Sequence, residues 1–358
     1  MSSNYVIKLT ALGPRVRGGL RARYLSKDKL NALILAQTLE DAVNVLKGTE
    51  YGDVLERLGK IVDEAQVTNE VRSHVVRSIS SLASSVPSPA STVLKSYLMR
   101  FELENVKVIA KSLMRGGLEG GGSMESLINI TVEEELGRRH VLAAIMSVRD
   151  VEDLRNKLME IRHPAGPALD SFLRISKQYA QYSMMLLDTF TDKAFIEYLM
   201  RLARIDYSVN KFIKELVEFY NLNVVLRGKL WGISQELINE LAIRSGAVFS
   251  TAVKIYGESP TRILEEVASV FPSVDQLIKV AGSSDLRLLV QYLGPFNYRF
   301  AKDLENSMIS LFTEFSPGAA LAAVHFKFVE SELIITLLNA FLEGIPRDFV
   351  VKLYGPAI

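Results

Sequence analysis

The segment from Arg115 to Ser123 holds five glycines in nine residues and is the strongest candidate for phosphate chemistry in this 358-residue chain. A phosphate-binding loop follows a strand, opens a helix and usually ends in Gly-Lys-Ser or Gly-Lys-Thr. Here no strand pattern precedes the glycines, and Ser123 follows Gly122 without a lysine. We therefore interpret the segment as a linker and predict no cofactor site there.

The other residue types that support catalysis or metal binding are scattered along the chain. Cysteine is absent, which excludes disulfides, thiolate nucleophiles and cysteine-ligated metals. No Gly-x-Ser-x-Gly elbow surrounds a serine, and the acidic residues alternate with lysine and arginine. The histidines share no metal-ligand spacing, so we expect packed or surface residues: His74, His140, His163 and His325. The sequence predicts no catalytic residue and no metal, although an enzyme with an unrecognised site remains an alternative.

Basic side chains are the better candidates for binding a partner. Four arginines cluster near the N-terminus: Arg15, Arg17, Arg21 and Arg23. The cluster is typical either of a solvated helix face or of a docking surface for an acidic protein or anionic headgroups. Arg115, Arg227 and Lys229 occupy matching places near the ends of repeated helices. They are candidates for partner contact, and the alternative is that they face the negative ends of their helix dipoles.

Composition excludes several classes of protein. Lysine and arginine number 42 against 41 acidic residues, so the chain lacks the basic excess of a duplex nucleic-acid binder. The hydrophobic fraction of 48% indicates a folded protein, and the mean hydropathy of +0.16 hints at a buried interface. No apolar run is long enough to span a bilayer, and the N-terminus has no secretory signal pattern. We expect an intracellular protein that touches a membrane only peripherally.

Helical periodicity dominates, and we predict an all-α fold. Apolar residues recur at three- and four-residue steps in Asp206–Tyr220 and in Phe326–Phe341, with polar residues on the other face of each helix. Lys29–Val45 has the same pattern, with Thr38 followed by acidic residues as a helix start. Proline and glycine predict two further loops: Ser85–Ser91 and His163–Pro167.

Self-comparison indicates an internal repeat. One element has copies at Leu39–Tyr51, Val151–His163 and Leu286–Tyr298. A second follows each copy, at Phe101–Gly116, Val217–Gly232 and Val329–Gly344. We predict three related helical units of roughly 110 to 120 residues, with domains at 1–118, 119–234 and 235–358.

Asparagine recurs in the second element. Asn105 and Asn221 each lie eleven residues before the final glycine, whereas the third copy has Leu333 there. We expect these asparagines to be helix caps or buried side chains that hold a neighbouring turn, in preference to ligand contacts.

Four strings resemble the C subunit of the archaeal A-type ATP synthase, a relative of the d subunit of V-type ATPases. They are YLSKDKLNALILAQTLEDAVNVLKGTEY from Tyr24, the pair FELENVKVIAKSL and EFYNLNVVLRGKLWGIS, and FVESELIITLLNAFLEGIP near the C-terminus. The ordered set covers nearly the whole chain. It departs from the family pattern at Leu333, at Phe101 and Leu103, and in the glycine-rich linker.

The resemblance implies three helical bundles around a pseudo-threefold axis, forming a funnel. It implies a non-catalytic central-stalk protein, present once in a hetero-oligomeric complex at the cytoplasmic face of the membrane. Its partners would be the membrane rotor ring and the central shaft, and it would couple proton-driven rotation to ATP synthesis. From their charge and their places in the chain, and not from the resemblance, we predict partner contacts at Arg15, Arg17, Arg115, Arg227 and Lys229. The alternative from another class is a soluble helical-repeat adaptor that binds a helical or peptide partner.

Overall fold

The computed structural model describes residues 12–58, 63–116, 128–282, 285–312 and 315–355. Helices are the only regular secondary structure in these ranges, which confirms the all-α prediction. The first third forms α1 (Leu12–Gly19), α2 (Lys27–Leu35), α3 (Leu39–Leu46), α4 (Glu50–Leu58), α5 (Glu64–Ser84), α6 (Ala90–Tyr97) and α7 (Met99–Met114). The middle forms α8 (Thr131–Glu135), α9 (Arg139–Met146), α10 (Val151–Glu160), α11 (Ala165–Ser176), α12 (Ser183–Met200), α13 (Tyr207–Leu230), α14 (Gln235–Leu241) and α15 (Ala247–Ala252). The last part forms α16 (Pro260–Ala268), α17 (Asp275–Ala281), α18 (Leu286–Phe312), α19 (Pro317–Leu342) and α20 (Arg347–Tyr354).

The order of these helices recurs along the chain. A short helix with a side-chain N-cap begins each series: α3 after Thr38, α10 after Asp150 and α16 after Ser259. A second helix and then two long helical segments follow, namely α5 with α6–α7, α12 with α13, and α18 with α19. Thr38 makes a capping box with Asp41, so the predicted helix start is confirmed.

The prediction that Leu286–Tyr298 is the third copy of the first repeated element is wrong. Leu286–Tyr298 lies inside α18, one continuous helix of 27 residues. By the order of elements its true counterpart is α16, which begins with Ser259 as N-cap and Pro260 at the first helical position. Apolar spacing recurs in any amphipathic helix, whereas a cap followed by proline marks a helix start. The capping residues are therefore the safer guide to the register of the repeat.

Three glycines end the second repeated element, as the internal comparison predicted. Gly116, Gly232 and Gly344 have φ of 91°, 62° and 67°, the left-handed region that disfavours other residues. The residue after Gly232 donates its N–H to the Gly228 carbonyl at 2.9 Å, and the residue after Gly344 makes the equivalent bond at 2.9 Å. These bonds satisfy carbonyls that the helix ends would otherwise leave unpaired.

Proline and glycine predicted loops with mixed success. Residues 85–89 connect α5 to α6, as expected. The predicted loop His163–Pro167 is wrong in its second half, because α11 begins at Ala165. Pro167 lies in the first turn of α11, where a helix does not need the backbone N–H that proline lacks. The predicted glycine linker falls largely in 117–127, outside the described residues.

Helix α19 is the centre of the molecule. Of its 26 residues, 21 are buried, so the predicted polar face is wrong. The helix packs against α18, α13, α5, α6, α1 and α3, and thus contacts helices from every third of the chain. Its approach to α13 is very close at Gly318, where a Cβ would lie 2.2 Å from the backbone carbon of Ser208. The Gly318 N–H donates to the Ser208 hydroxyl at 2.9 Å, which fixes that contact.

Candidate partner-binding surfaces

The five residues predicted to contact partners do not share one surface. Arg15 and Arg17 lie exposed on α1, and Arg115 lies exposed at the end of α7. Arg227 lines a cavity inside the helical assembly. Lys229 makes internal contacts, because its ammonium donates to the Tyr256 carbonyl at 3.0 Å and lies 5.1 Å from the centre of that ring. Lys229 therefore helps to hold residue 256 against α13.

The cavity has a volume of about 230 Å³ and lies between α12, α13, α18 and α19. Aromatic side chains such as Phe219, Trp231 and Phe328 form much of its wall, and Arg227 contributes a cation. Three polar atoms of wall residues have no hydrogen-bond partner in the described part of the chain: Nε2 of His325, Oδ1 of Asn297 and Nε of Arg100. The cavity is thus mostly apolar with a few polar groups, a lining that suits water or an inserted partner side chain.

His325 is held neutral in this wall. Its Nδ1 lies 2.8 Å from the Tyr97 hydroxyl, which belongs to α6. Burial and the nearby Arg100 guanidinium lower the pKa of His325 to about 3. The side chain therefore acts as a neutral hydrogen-bonding group that joins α6 to α19, in agreement with the prediction of a packed histidine.

The remaining histidines are also packed or at the surface, as predicted. His163 is buried, with Nε2 3.3 Å from a carboxylate oxygen of Glu102 and Nδ1 accepting from the Ala165 N–H at 3.1 Å. His74 lies 3.0 Å from a Glu50 oxygen, and His140 is exposed. No group of three or more potential ligands in the described ranges could hold a metal ion.

A groove with basic walls lies between α1 and α5. Its volume is about 590 Å³, and its lining includes Arg15, Arg23 and Arg77 but no carboxylate of the described residues. Arg17 is on the same helix as Arg15 but is not among the lining residues. The N-terminal arginine cluster is therefore divided, because Arg21 pairs instead with Glu305 at 2.6 Å.

An ion-pair network connects α7 to α12. Lys107 lies 3.0 Å from both Glu104 and Asp192, and Arg100 lies 3.1 Å from Asp192. Burial opposes ionisation of Glu104, yet Lys107 and Arg100 together hold the pKa of this carboxyl well below its usual range. The same two cations outweigh burial at Asp192 and lower its pKa. The first and middle thirds of the chain are therefore joined by charged groups that stay ionised at neutral pH.

A second buried network connects α19 to the first third. The Lys327 ammonium is fully buried, pairs with Glu50, and lies 3.0 Å from Glu330 and 4.3 Å from the centre of the Tyr51 ring. Glu330 also accepts from the Leu25 N–H at 2.7 Å and from the Tyr51 hydroxyl at 2.9 Å. Every charge in this cluster has a partner, as a buried ion must.

The repeated asparagines hold turns, as predicted. Asn105 donates to the Asn129 carbonyl and accepts from the Asn129 N–H, both at 2.8 Å. Asn221 does the same to Ile243, at 3.0 and 2.9 Å, and also donates to the Ser245 carbonyl at 2.9 Å. Each asparagine therefore fastens the chain that returns after its own helix.

A repeated glutamate has the same kind of role, and reasoning from the sequence missed it. Glu102, Glu218 and Glu330 each lie fourteen residues before the glycine that ends their helix. Glu102 pairs with Arg138 at 3.1 Å, and Glu218 accepts from the backbone N–H groups of residues 247 and 248 at 2.7 and 2.8 Å. The signal was present as the second residue of each repeated string.

Glu133 carries the most testable pKa shift near these turns. Burial raises the pKa of Glu133 to about 7. The hydrogen bond that Asn105 donates to the carboxylate opposes this rise, and repulsion from Glu102 adds to it. Because the folded pKa exceeds the unfolded value, this group favours folding fully below about pH 4.5 and loses that contribution as pH rises through 7. Above pH 7 the buried Glu133 carboxyl is ionised, and its charge lowers the free energy of unfolding.

We expect Glu133→Gln to leave the free energy of unfolding nearly unchanged at pH 5 and to raise it at pH 9, by roughly 1–3 kcal/mol. Denaturant titrations at the two pH values would measure the difference. Glu134→Gln is the matched control, since Glu134 is exposed and, among the residues that the structure describes, pairs only with exposed Arg139. Equal effects of Glu133→Gln at both pH values would contradict the assigned ionisation.

Comparison with known proteins covers nearly the whole chain. The model of the family described as ATP synthase (C/AC39) subunit matches residues 14–353. The C subunit of the A-type ATP synthase of Thermoplasma volcanium is 23% identical over 347 residues, which cover 92% of this chain and 93% of that protein. The corresponding C subunit of Methanocaldococcus jannaschii is 25% identical over 234 residues, 63% of this chain and 55% of that protein. Among the described residues, no helix has both the length and the apolar character needed to cross a bilayer.

Proposed function

Because the chain belongs to the ATP synthase (C/AC39) subunit family, we propose that it is the non-catalytic central-stalk subunit of an A-type ATP synthase. In this role it links the membrane rotor ring to the central shaft, and so couples ring rotation driven by protons to ATP synthesis in the catalytic head. The observation that carries the proposal is the family match over residues 14–353, which includes the described helices almost entirely. The adaptor alternative is less favoured, because it leaves this match unexplained.

The recurring order of helices supports a body of three similar units. We take these units as residues 1–118, 119–234 and 235–358, arranged as a funnel around a pseudo-threefold axis. Helix α8 packs against α5 and α7, so the chain after the first linker remains attached to the first unit. Helix α19 contacts elements of all three units, and a rotor component needs such shared burial because torque must pass between units without slippage.

The charge networks support the same role. Lys107 and Arg100 join α7 to α12, and Lys327 and Glu330 join α19 to the first unit. Ion pairs that are buried and hydrogen-bonded resist separation far more than exposed pairs, since breaking one leaves a charge without solvent or partner. These contacts would keep the body rigid while it turns.

The proposed contacts with other proteins of the complex involve residues in different surroundings. Arg227 in the cavity is the candidate for the shaft, and Arg115, Arg15 and Arg17 are candidates for further partners. Lys229 is the weakest of the five because its ammonium is already engaged with Tyr256. The complex would hold a single copy of this chain, at the cytoplasmic face of the membrane.

Reconstitution tests the proposal directly. A synthase complex lacking this chain should retain ATP hydrolysis by its head but lose ATP synthesis driven by a proton gradient, and the purified chain should restore synthesis. Cross-linking mass spectrometry of the restored complex should join the chain to shaft and ring proteins. A complex that couples equally well without the chain would contradict the role.

A substitution that removes the charge of Arg227 tests the proposed shaft contact. Arg227→Gln should weaken binding of the shaft by about tenfold, because a charged interface pair contributes on the order of 1–2 kcal/mol. Arg287→Gln is the control, since Arg287 is exposed and its side chain has no partner among the described residues. If both variants bind the shaft equally, Arg227 is not a contact even though the coupling role stands.

A further inference from the structure

The basic groove between α1 and α5 presents cations that the fold leaves uncompensated. Arg15, Arg23 and Arg77 are exposed, and within the described residues their side chains make no hydrogen bond or ion pair. Some other exposed arginines pair with a glutamate four residues away, as Arg262 does with Glu266 and Arg244 with Glu240. Three guanidinium groups without carboxylates around one concavity repel one another, and a bound anion would relieve that repulsion.

The groove also offers neutral donors. Ser78 and Ser81 line it from α5 with hydroxyls that have no partner in the described part of the chain. Gly18 and Gly19 form the opposite wall, where a Cβ would meet open space, so a ligand can approach the α1 backbone closely. Arginine forks together with hydroxyls match the oxygen atoms of a phosphate group.

An apolar side chain packs at the start of α1, one residue before Pro14 of the groove lining. Phe315 packs over Gly13, where an added Cβ would lie 2.8 Å from its ring, yet 45% of Phe315 is exposed. An exposed aromatic residue near arginines is typical of a surface at the boundary between lipid headgroups and acyl chains.

We propose that this groove binds the phosphate groups of anionic phospholipids, with Arg15, Arg23 and Arg77 as the binding residues. The exposed ring of Phe315 at the start of α1 favours a lipid over a soluble phosphate compound, which has no use for it. The site goes beyond the proposed coupling role, because there the chain meets the membrane only through its protein partners. It adds a direct contact between this chain and the lipid surface.

Vesicle binding by the purified chain tests the site. The chain should sediment with vesicles of phosphatidylcholine containing phosphatidylglycerol and much less with pure phosphatidylcholine. Arg15→Gln/Arg77→Gln should lower the affinity for anionic vesicles by about 25-fold, since each arginine near an anionic surface contributes roughly fivefold. Both residues are exposed, and an unchanged circular dichroism spectrum would verify the fold.

The control removes two charges elsewhere. Arg149→Gln/Arg287→Gln changes exposed arginines outside the groove and should keep most of the affinity. Equal losses in the two double variants, or equal binding to both vesicle types, would overturn the site. Pyrophosphate is the soluble probe, and binding of pyrophosphate at the groove without binding to anionic vesicles would overturn the lipid assignment. None of these outcomes depends on coupled ATP synthesis.

Discussion

Lys327→Met should lower the free energy of unfolding by about 3–5 kcal/mol, the cost of removing one member of a buried ion cluster. Lys327 is fully buried and neutralises two carboxylates, Glu50 and Glu330, which the substitution would leave without their shared buried cation. Methionine fills most of the volume of lysine, so the loss would report charge rather than a cavity. Denaturant unfolding followed by circular dichroism measures it.

The effect of pH provides a second reading of the same variant. Burial opposes ionisation of Glu50, but His74 and Lys327 together lower its pKa. A carboxyl with a depressed folded pKa stabilises the fold above its unfolded pKa and loses that contribution as pH falls through the folded value. Removing Lys327 removes much of this stabilising contribution of Glu50. The decrease in the free energy of unfolding should therefore be larger at pH 7 than at acidic pH.

An exposed ion pair is the appropriate control for this prediction. Lys211 pairs with Glu215 along α13, and 40% of its side chain is accessible. Lys211→Met should cost only a few tenths of a kcal/mol, because solvent screens such pairs. A loss from Lys327→Met no larger than that of Lys211→Met would contradict the assigned role of the buried cluster.

Local features of the fold were predictable because they depend on neighbouring residues. The Thr38 cap with Asp41 three residues later, and the glycines at 116, 232 and 344, satisfy backbone groups within one turn. Their signals are therefore written at fixed spacing in the sequence. The all-α class follows from the sum of such signals.

The burial of charged side chains by distant parts of the chain was harder to predict from the sequence. Lys327 and Glu330 occupy positions that a periodic pattern assigns to solvent, yet both are buried by elements nearly three hundred residues away. Nothing local distinguishes them from exposed charges on other helices. The repeat does carry that information, because a glutamate at the matching place in all three copies is unexpected for a solvated face.

The candidate partner residues lie in different surroundings, which local sequence also does not determine. Arg227 and Lys229 lie two positions apart on α13, yet Arg227 lines the cavity and Lys229 bonds to Tyr256. Successive positions on a helix point in different directions, so shared charge does not mean shared surroundings. The groove cations Arg15 and Arg77 come from different helices, and only the packing of α1 on α5 brings them together.

Asn221→Leu should lower the free energy of unfolding by about 2–5 kcal/mol. Asn221 is fully buried and satisfies the Ile243 N–H as well as the carbonyls of Ile243 and Ser245. Leucine has a similar size but cannot hydrogen-bond, and each buried polar group left unsatisfied costs about 1–3 kcal/mol. Because the turn before α15 is held by this side chain and by Glu218, local opening should precede global unfolding. Hydrogen exchange of the Ile243 amide would detect that opening.

A second asparagine on α13 serves as the control for the hydrogen bonds that Asn221 makes to the turn. Asn223 lies two positions later on α13, is half-buried and donates only to the Phe219 carbonyl of its own helix at 2.9 Å. Asn223→Leu should therefore cost under about 1 kcal/mol, because that carbonyl already belongs to a helical hydrogen-bond ladder. The third copy has Leu333 at the corresponding place, buried within α19. If the two asparagine variants unfold at the same denaturant concentration, the turn is held by Glu218 and by packing, and the recurrence of asparagine in two copies has another cause.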